Sequence, residues 1–451
     1  MDKMYFYCQS CGYETPKWHG KCPSCKEWNT IVEEIKNVKS KNKLFDISSN
    51  HTQPVLIHQI INDDSVQSST GDNELDNVLG GGIVNGSIIL LAGEPGIGKS
   101  TLLLQMALSI NKKVLYVSGE EAGTQIKIRA DRIGIENKKC SIYTETSVKK
   151  ILHHCTKNDE SYKLIIIDSI QTLYSDFVDS PIGSVSQIKQ CCSEVLQYAK
   201  HSGVPIILIG HITKEGQIAG PKILEHMVDV VLHFEGEKSH LYRVLRAKKN
   251  RFGSTSKVGV YEMKDVGLRA VENPSTILIN KRKNNLSGTA ISSTFEGEKT
   301  FLVEAQALVA SAVYGTPQRV CNGFNIKRLN MLLAVLEKKC GFKLISKDVF
   351  LNIAGGIKVI DPSMDLGIVS SIISSAKDLI IDSTICFAGE VGLNGEIRPI
   401  PRIDMHIEEA ERIGFRTIVI SSHNQILRNN TKIKIIECTK VVDLDNFLSN
   451  L

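Results

Sequence analysis

No run of about 18 consecutive apolar residues occurs anywhere in the chain, so no membrane-spanning helix is expected. The first residues, MDKMYFYCQSC, hold no apolar stretch of the kind that directs export, which points to a cytoplasmic protein. An excess of one charge is missing too: 54 Lys and Arg against 49 Asp and Glu leave a net charge of +5. That mild basicity permits a polyanionic partner without requiring one. With no export signal, the 12 cysteines do not read as the disulfide framework of a small secreted domain. Eight of them (Cys140, Cys155, Cys191, Cys192, Cys321, Cys340, Cys386 and Cys438) are scattered in apolar or mixed contexts and read as reduced thiols. The chain has 451 residues, 42% apolar and 23% charged, an ordinary globular composition. It exceeds the roughly 250–300 residues at which a single core stops growing, so two or more domains are expected.

The other four cysteines stand in CQSCGYETPKWHGKCPSC, as Cys8, Cys11, Cys22 and Cys25. Two C-x-x-C pairs at this spacing can set four thiolates tetrahedrally around one Zn2+, and Gly12 suits the turn after the first pair. Redox pairs are the competing reading, but they come singly and on a βαβ unit. Few apolar residues flank the cysteines, so metal binding would supply much of the folding free energy, and a site filled by sulfur leaves no position for catalysis. Lys17, Trp18, His19 and Lys21 between the pairs suit a nucleic acid, a protein partner or simply an exposed ribbon tip. The text then turns polar (KNVKSKNK, NDDSVQSSTGDN) and reads as a linker with a short strand at VLIHQII.

In SIILLAGEPGIGKSTLLLQMALSI a β-prone run feeds a glycine-rich turn and a helical pattern. Gly93, Glu94, Pro95, Gly96, Ile97, Gly98, Lys99, Ser100 and Thr101 form G-x-x-x-x-G-K-S-T, the loop that cradles the phosphates of ATP. Lys99 would reach the β- and γ-phosphates and Ser100 would ligate Mg2+. Three further strands are expected. KKVLYVSGEE ends in Glu120 and Glu121, YKLIIIDSI ends in Asp168, and VPIILIGHITK ends in His211, Thr213 and Lys214. Chemistry in such sheets gathers at the C-terminal strand ends. Asp168 suits the acid behind the magnesium ion, and Glu120 the group that orients the attacking water, unless it is only a surface acid. Glu121 reads as a bystander, and His211 as a γ-phosphate sensor or a structural histidine. LYRVLRA and KVGVYEM flank AKKNRFGSTS, where Lys248, Lys249 and Arg251 stand beside Phe252 and Gly253. Those cations read either as a solvated hairpin tip or as an arginine finger reaching a neighbouring subunit's phosphates.

TGDNELDNVLGGG, GEPGIGKST, VSGEE, LEHMVDVVLHFEGE and KNRFG, together with the four N-terminal cysteines, resemble the bacterial RadA (Sms) family over nearly the whole chain. The resemblance implies a RecA-like α/β ATPase related to the replicative hexameric helicases. It implies a DNA-dependent ATPase and ring helicase of homologous recombination and repair, moving on single-stranded and branched DNA, with a RecA-type recombinase as partner and a hexameric ring as assembly. It assigns Lys99 and Ser100 to Walker A, Asp168 to Walker B, Glu120 to the catalytic glutamate, and Lys249 and Arg251 to the K-x-R pair inserted across subunit boundaries. Asn77 departs from the family pattern, which has arginine there. The implied fold class is a RecA-like P-loop core with a small N-terminal C4 zinc ribbon and a C-terminal α+β domain like that of Lon proteases. The expected boundaries are 1–34 for the ribbon, 35–69 for the linker, 70–274 for the ATPase and 275–451 for the last domain.

Within that last domain GTAISSTFEGEKTFLVEAQALVA reads as strands and FNIKRLNMLLAVLEKKC as an amphipathic helix. Ser363, in IDPSMDLGI, stands where Lon-type proteases have their nucleophile, but the partner lysine position in EVGLNGEIRPIPRIDMH is Asp404. A serine hydroxyl without its base is a poor nucleophile, so the domain is expected to be proteolytically inactive. The resemblance makes it a platform for hexamer formation and DNA binding, with Lys327, Arg328, Lys338, Lys339 and Lys343 as candidate phosphate contacts. An ATP-dependent peptidase and a non-motor nucleotide switch are the alternative readings.

Overall fold

The computed structural model describes residues 3–8, 13–24, 26–36, 56–57, 67–157, 162–211, 223–236, 242–271, 275, 279, 286–312, 317–356, 358–428 and 431–451. Cys11, Gly12, Cys25, Thr213, Lys214 and most of VLIHQII lie outside the described residues. The chain divides into two compact units, residues 1–238 with 243–270, and residues 239–242 with 271–451.

The first unit begins with a small antiparallel sheet of β1 (Lys3–Cys8), β2 (Glu14–Thr15) and β3 (Ile31–Lys36), in the order β2-β1-β3. Among its described residues the buried apolar cluster is Cys8, Cys22 and Ile31, with Phe6 packed against them. A core that small cannot offset the entropy of ordering the ribbon.

The rest of the unit is built on a nine-stranded sheet. After the two-residue strands β4 (Gln67–Ser68) and β5 (Ile83–Val84), which pair with each other, come β6 (Ile88–Gly93), β7 (Val114–Ser118), β8 (Cys140–Thr144), β9 (Leu164–Asp168), β10 (Ile206–His211) and β11 (Val230–Glu235). Then follow β12 (Tyr242–Asn250), β13 (Val258–Lys264) and β14 (Gly267–Ala270). The order is β14-β13-β12-β11-β6-β10-β9-β7-β8. β11, β6, β10, β9, β7 and β8 run parallel, while β12 returns antiparallel to β11. Every residue of β6, β7 and β9 is buried, as apolar runs covered by helices on both faces must be. Separate apolar clusters fill the two faces. Leu90, Leu208 and Ile167 face the helices Val148–Lys157 and Val185–Ser202, and Leu91, Ile209 and Tyr116 face the helix α1 (Lys99–Ser109). The C-terminal ends of β6, β7, β9 and β10 therefore lie at one edge.

The second unit holds a mixed seven-stranded sheet. Its long central hairpin joins Thr289–Glu296 to Lys299–Ser311, and parallel strands Ile385–Ala388, Thr417–Ser421 and Lys434–Cys438 complete one side. FNIKRLNMLLAVLEKKC is helical over Ile326–Cys340 as its periodicity predicts, capped by Asn325 and burying Leu329, Leu332, Leu333 and Leu336.

Candidate active site

β6 delivers the chain into a loop that only glycine can line. A Cβ on Gly93 would stand 2.6 Å from the Phe234 carbonyl oxygen. Gly98 has φ +112°, where a Cβ would also meet Met263 at 2.8 Å. Gly98 is the N-cap of α1 and offers no side chain to cap it. The helix Asn73–Leu79 is capped by Asp72 and Val185–Ser202 by Ser184. The first-turn N–H groups of α1 are thus left for an anion, with the helix dipole behind them.

Lys99 lies at that turn, 3% exposed. Its Nζ donates to the carbonyl oxygens of Gly93 at 2.7 Å and Glu94 at 2.9 Å. Burial pushes its pKa down to about 8, against the pull of Asp168, Glu120 and Glu94. A desolvated ammonium held by two neutral carbonyls is short of negative charge, and a phosphate would supply it.

The acids come from the ends of β7 and β9. Asp168 is buried, with Oδ2 accepting from the Tyr116 hydroxyl at 2.8 Å. Its Oδ1 is buried and has no hydrogen-bond partner, an orphaned acceptor of the kind a bound cation's hydration shell satisfies. Burial raises the Asp168 pKa, offset by the hydroxyls of Ser100 and Tyr116 facing the carboxylate. Ser100 and Asp168 thus form an oxygen pair that fits Mg2+.

Glu120 Oε1 accepts from the Ser169 hydroxyl at 2.6 Å and lies 2.9 Å from His211 Nε2. Burial opposes ionisation, but those two partners outweigh it and hold the pKa of Glu120 below the ordinary carboxylate range. Glu120 is therefore an anion fixed from two strands and half open to solvent. Glu121 instead pairs with Arg129 on the next helix. The bystander reading of Glu121 follows from that contact. Tyr116 and Ser169 escape sequence reasoning because each looks like strand filler; a hydroxyl inside an otherwise aliphatic run (VLYVS) was the available signal.

KNRFG differs from the expected loop. Lys248 and Lys249 lie on β12, and the turn begins only at Arg251. Lys249 Nζ donates to the carbonyl oxygens of Glu225, His226 and Val228, at 2.8, 3.2 and 2.7 Å, closing the end of the short helix Ile223–Met227. Arg251 Nη1 donates to Asp229 Oδ1 at 3.1 Å, yet its side chain stays 56% exposed. Asp229 is 3% exposed and also accepts from the Ile88 N–H at 3.0 Å and Lys200 Nζ at 2.9 Å. Burial works against its charge, but these donors keep its pKa below the usual range. LEHMVDVV and KNRFG, at the neighbouring strands β11 and β12, are one bonded unit bracing the start of the P-loop strand.

In the ribbon, Cys8 and Cys22 are 0% and 1% exposed, and their N–H groups donate to the carbonyl oxygens of Tyr13 and Glu27 at 2.9 and 2.8 Å. Such backbone loops turn back on the cysteine that opens them. Two buried thiols where an apolar core would sit fit Zn2+, which Cys8, Cys11, Cys22 and Cys25 would hold. Purified protein is expected to carry one zinc per chain by atomic absorption, and Cys22→Ser is expected to lose it along with the ribbon's resistance to proteolysis.

Three family models match the chain. One described as an AAA domain covers residues 60–217, one described as a rubredoxin metal-binding domain covers 6–33, and one described as subunit ChlI of Mg-chelatase covers 323–424. A DNA repair protein RadA of Bacillus subtilis (strain 168) is 45% identical over 98% of this chain and 97% of its own length. One of Aquifex aeolicus (strain VF5) is 45% identical over 94% of this chain and 95% of its own. The chain belongs to the RadA family of DNA repair proteins. A solved RadB recombinase overlays 45% of the chain at 23% identity, with a TM-score of 0.38.

As a RadA family member with this P-loop, the protein is an ATP hydrolase, and its cofactors are ATP with Mg2+ and, at the ribbon, Zn2+. No helix among the described residues is long and apolar enough to cross a membrane. In the second unit Ser363 is 1% exposed, and its hydroxyl donates to the Asp361 carboxylate and, at 3.1 Å, to the Ser293 carbonyl. Asp404 is engaged elsewhere, accepting from the N–H groups of Leu427 and Arg428 at 3.1 and 3.2 Å. The serine ties a turn to the central hairpin, and the only acidic group bonded to its hydroxyl among the described residues is Asp361, two positions before it, with no lysine in reach of the kind a Lon-type pair uses. His406, the nearby imidazole, bonds Ser293 at 2.7 Å, and burial pushes its pKa down to about 4. Arg328, expected as a phosphate contact, is a correction. It forms a two-pronged pair with fully buried Asp365 and reaches Glu390 at 3.5 Å. Lys339 packs its stem on Gly395, and Lys327, Lys338 and Lys343 remain on the surface or its margin.

Proposed function

We propose that this protein is a DNA-dependent ATPase and ring helicase of homologous recombination, translocating on single-stranded DNA to extend and branch-migrate recombination intermediates. The observation that carries the reading is the shared edge of the sheet, where an uncapped helix start, an undersatisfied Lys99, an orphaned Asp168 oxygen and an ionised Glu120 converge. Gly93 to Thr101 would wrap the nucleotide phosphates, and Ser100 with Asp168 would hold Mg2+, which when bound neutralises charge on the β- and γ-phosphates. Lys99 would neutralise the γ-phosphate oxygens. Glu120, fixed by Ser169 and His211, would orient the attacking water and accept its proton.

Of the two KNRFG cations, Arg251 is the one with an exposed guanidinium, so we assign it the trans contact with a neighbouring subunit's phosphates and Lys249 the bracing of its base. This requires head-to-tail neighbouring subunits, which we propose close into a ring of the family-implied hexameric size, with branched DNA and a RecA-type recombinase as partners. Domain limits near residues 34, 69 and 274 and a DNA-binding role for the second unit belong to the same proposal. A Lon-type peptidase is disfavoured by buried Ser363 and displaced Asp404.

Arg251→Ala is expected to bind ATP normally but to unwind a forked DNA about 10³-fold or more slowly, the lower end of arginine-finger losses. Arg251→Lys, which keeps the charge toward Asp229, separates loss of the brace from loss of the finger. Normal unwinding by Arg251→Ala would overturn the trans assignment.

A further inference from the structure

The chain contains only two tryptophans, and both lie on the ribbon with their side chains in solvent: Trp18 is 60% exposed and Trp28 69%. Large indoles are normally buried, so two exposed ones on so small a module mark a surface with a partner. They are also convergent. A Cβ placed on Gly20 would touch both indoles, at 3.6 Å from the Trp18 ring and 3.9 Å from the Trp28 ring, so both rings border the space over Gly20. Trp18 is locked, its Nε1–H donating to the Ile31 carbonyl at 3.1 Å, and the strand bridge between Lys21 and Trp28 fixes the second indole's backbone. The same stretch is rich in exposed cations. Lys17, His19, Lys21 and Lys26 are exposed, with the Lys21 ammonium 5.4 Å from the Trp28 ring centre, and Glu27 is the one exposed acid among residues 15–24 and 26–30.

We propose that Trp18 and Trp28 form a base-stacking clamp for single-stranded DNA, with Lys17, Lys21 and Lys26 on the phosphates. Rigid aromatic faces flanked by cations are what an unpaired strand recognises without regard to sequence. A duplex, its bases already stacked, offers the clamp nothing but phosphate. The inference rests on the single-strand reading proposed above and names where the strand is gripped.

Because both tryptophans sit here, intrinsic indole fluorescence of the full-length protein reports on the ribbon alone. Titration with oligothymidylate is expected to quench that emission, while the same length of duplex leaves it nearly unchanged. In parallel, the anisotropy of a dye-labelled oligothymidylate reads binding to the whole protein. Trp18→Ala and Trp28→Ala are each expected to weaken that binding about 5- to 150-fold, the span of one lost stacking contact, with Trp→Phe retaining most of it. Gly20→Leu, which leaves both indoles in place and requires no left-handed backbone, is expected to weaken binding too by filling that space. Zinc content of one per chain in each variant verifies that the ribbon is folded. Undiminished binding by the alanine variants, or DNA binding by anisotropy without indole quenching, overturns the clamp and leaves the proposed function standing. Absence of any oligothymidylate binding overturns both. Quenching by a protein partner but not by DNA overturns the clamp as well.

Discussion

Lys99→Ala is expected to lose ATP hydrolysis by at least about 10²–10³-fold, the cost of removing one preorganised group that meets developing charge. The same substitution is not expected to weaken the nucleotide-free fold. The ammonium is buried at the loop with its pKa lowered to about 8, so its burial already works against the charged form. Removing it relieves that cost and leaves the carbonyls of Gly93 and Glu94 facing the loop. Thermal unfolding should therefore separate the two roles. Without nucleotide, the variant should melt at or slightly above the wild-type temperature. With ATP and Mg2+ the wild type should gain stability by mass action and the variant should gain far less. A variant that unfolds early without nucleotide would show Lys99 to be a structural group.

The second large effect lies away from the nucleotide. Arg328→Ala is expected to destabilise the second unit by about 3 kcal/mol, within the range for breaking a buried ion pair from one side. Asp365 is fully buried and accepts from Arg328 Nε at 2.8 Å and from the Val391 N–H at 3.1 Å. Burial holds its pKa above the ordinary value even with the guanidinium beside it. Without Arg328 that pKa rises further, and the carboxyl relieves part of the penalty by taking up a proton. The sign follows from that. A group whose folded pKa lies above its unfolded one favours folding more as the pH falls through the folded value. The deficit of Arg328→Ala relative to wild type should therefore shrink between neutral and mildly acidic pH, read as the urea midpoint of the second unit's transition. A deficit independent of pH would mean that the loss is one of packing. Arg328→Met, which refills the volume, tests that alternative directly.

What was legible in the sequence was local. The P-loop could be read because strand, glycine turn and helix fall within one stretch, although the contacts that demand glycine at 93 and 98 come from Phe234 and Met263. The buried strands could be read because β6, β9 and β10 are unbroken apolar runs. What was not legible depends on distance. Asp229 joins Ile88, Lys200 and Arg251 from three other parts of the chain. Nothing in LEHMVDVV distinguishes that aspartate from a surface acid. Arg328 reads as one more helix cation until Asp365, in another helix, is seen beneath it. Lys249 reads as a loop cation because KNRFG ends in a glycine turn, while the strand pairing of β12 with β11 carries it onto a carbonyl cluster. Ser363 carried a nucleophile's local signature, which Asp404 at the lysine position already weakened in the sequence; its burial and its bonds to Asp361 and Ser293 depend on distant packing.

On the proposed function, nucleotide turnover at this sheet edge is coupled to single-stranded DNA. The most direct measurement is the steady-state ATP hydrolysis rate of the full-length protein with and without single-stranded DNA, with Lys99→Ala as the blank. The account predicts a rate that rises several-fold on adding the single strand and a blank that stays flat in both conditions. A wild-type rate that is the same with and without DNA, while the blank stays flat, would contradict it and favour a nucleotide switch that acts through a protein partner.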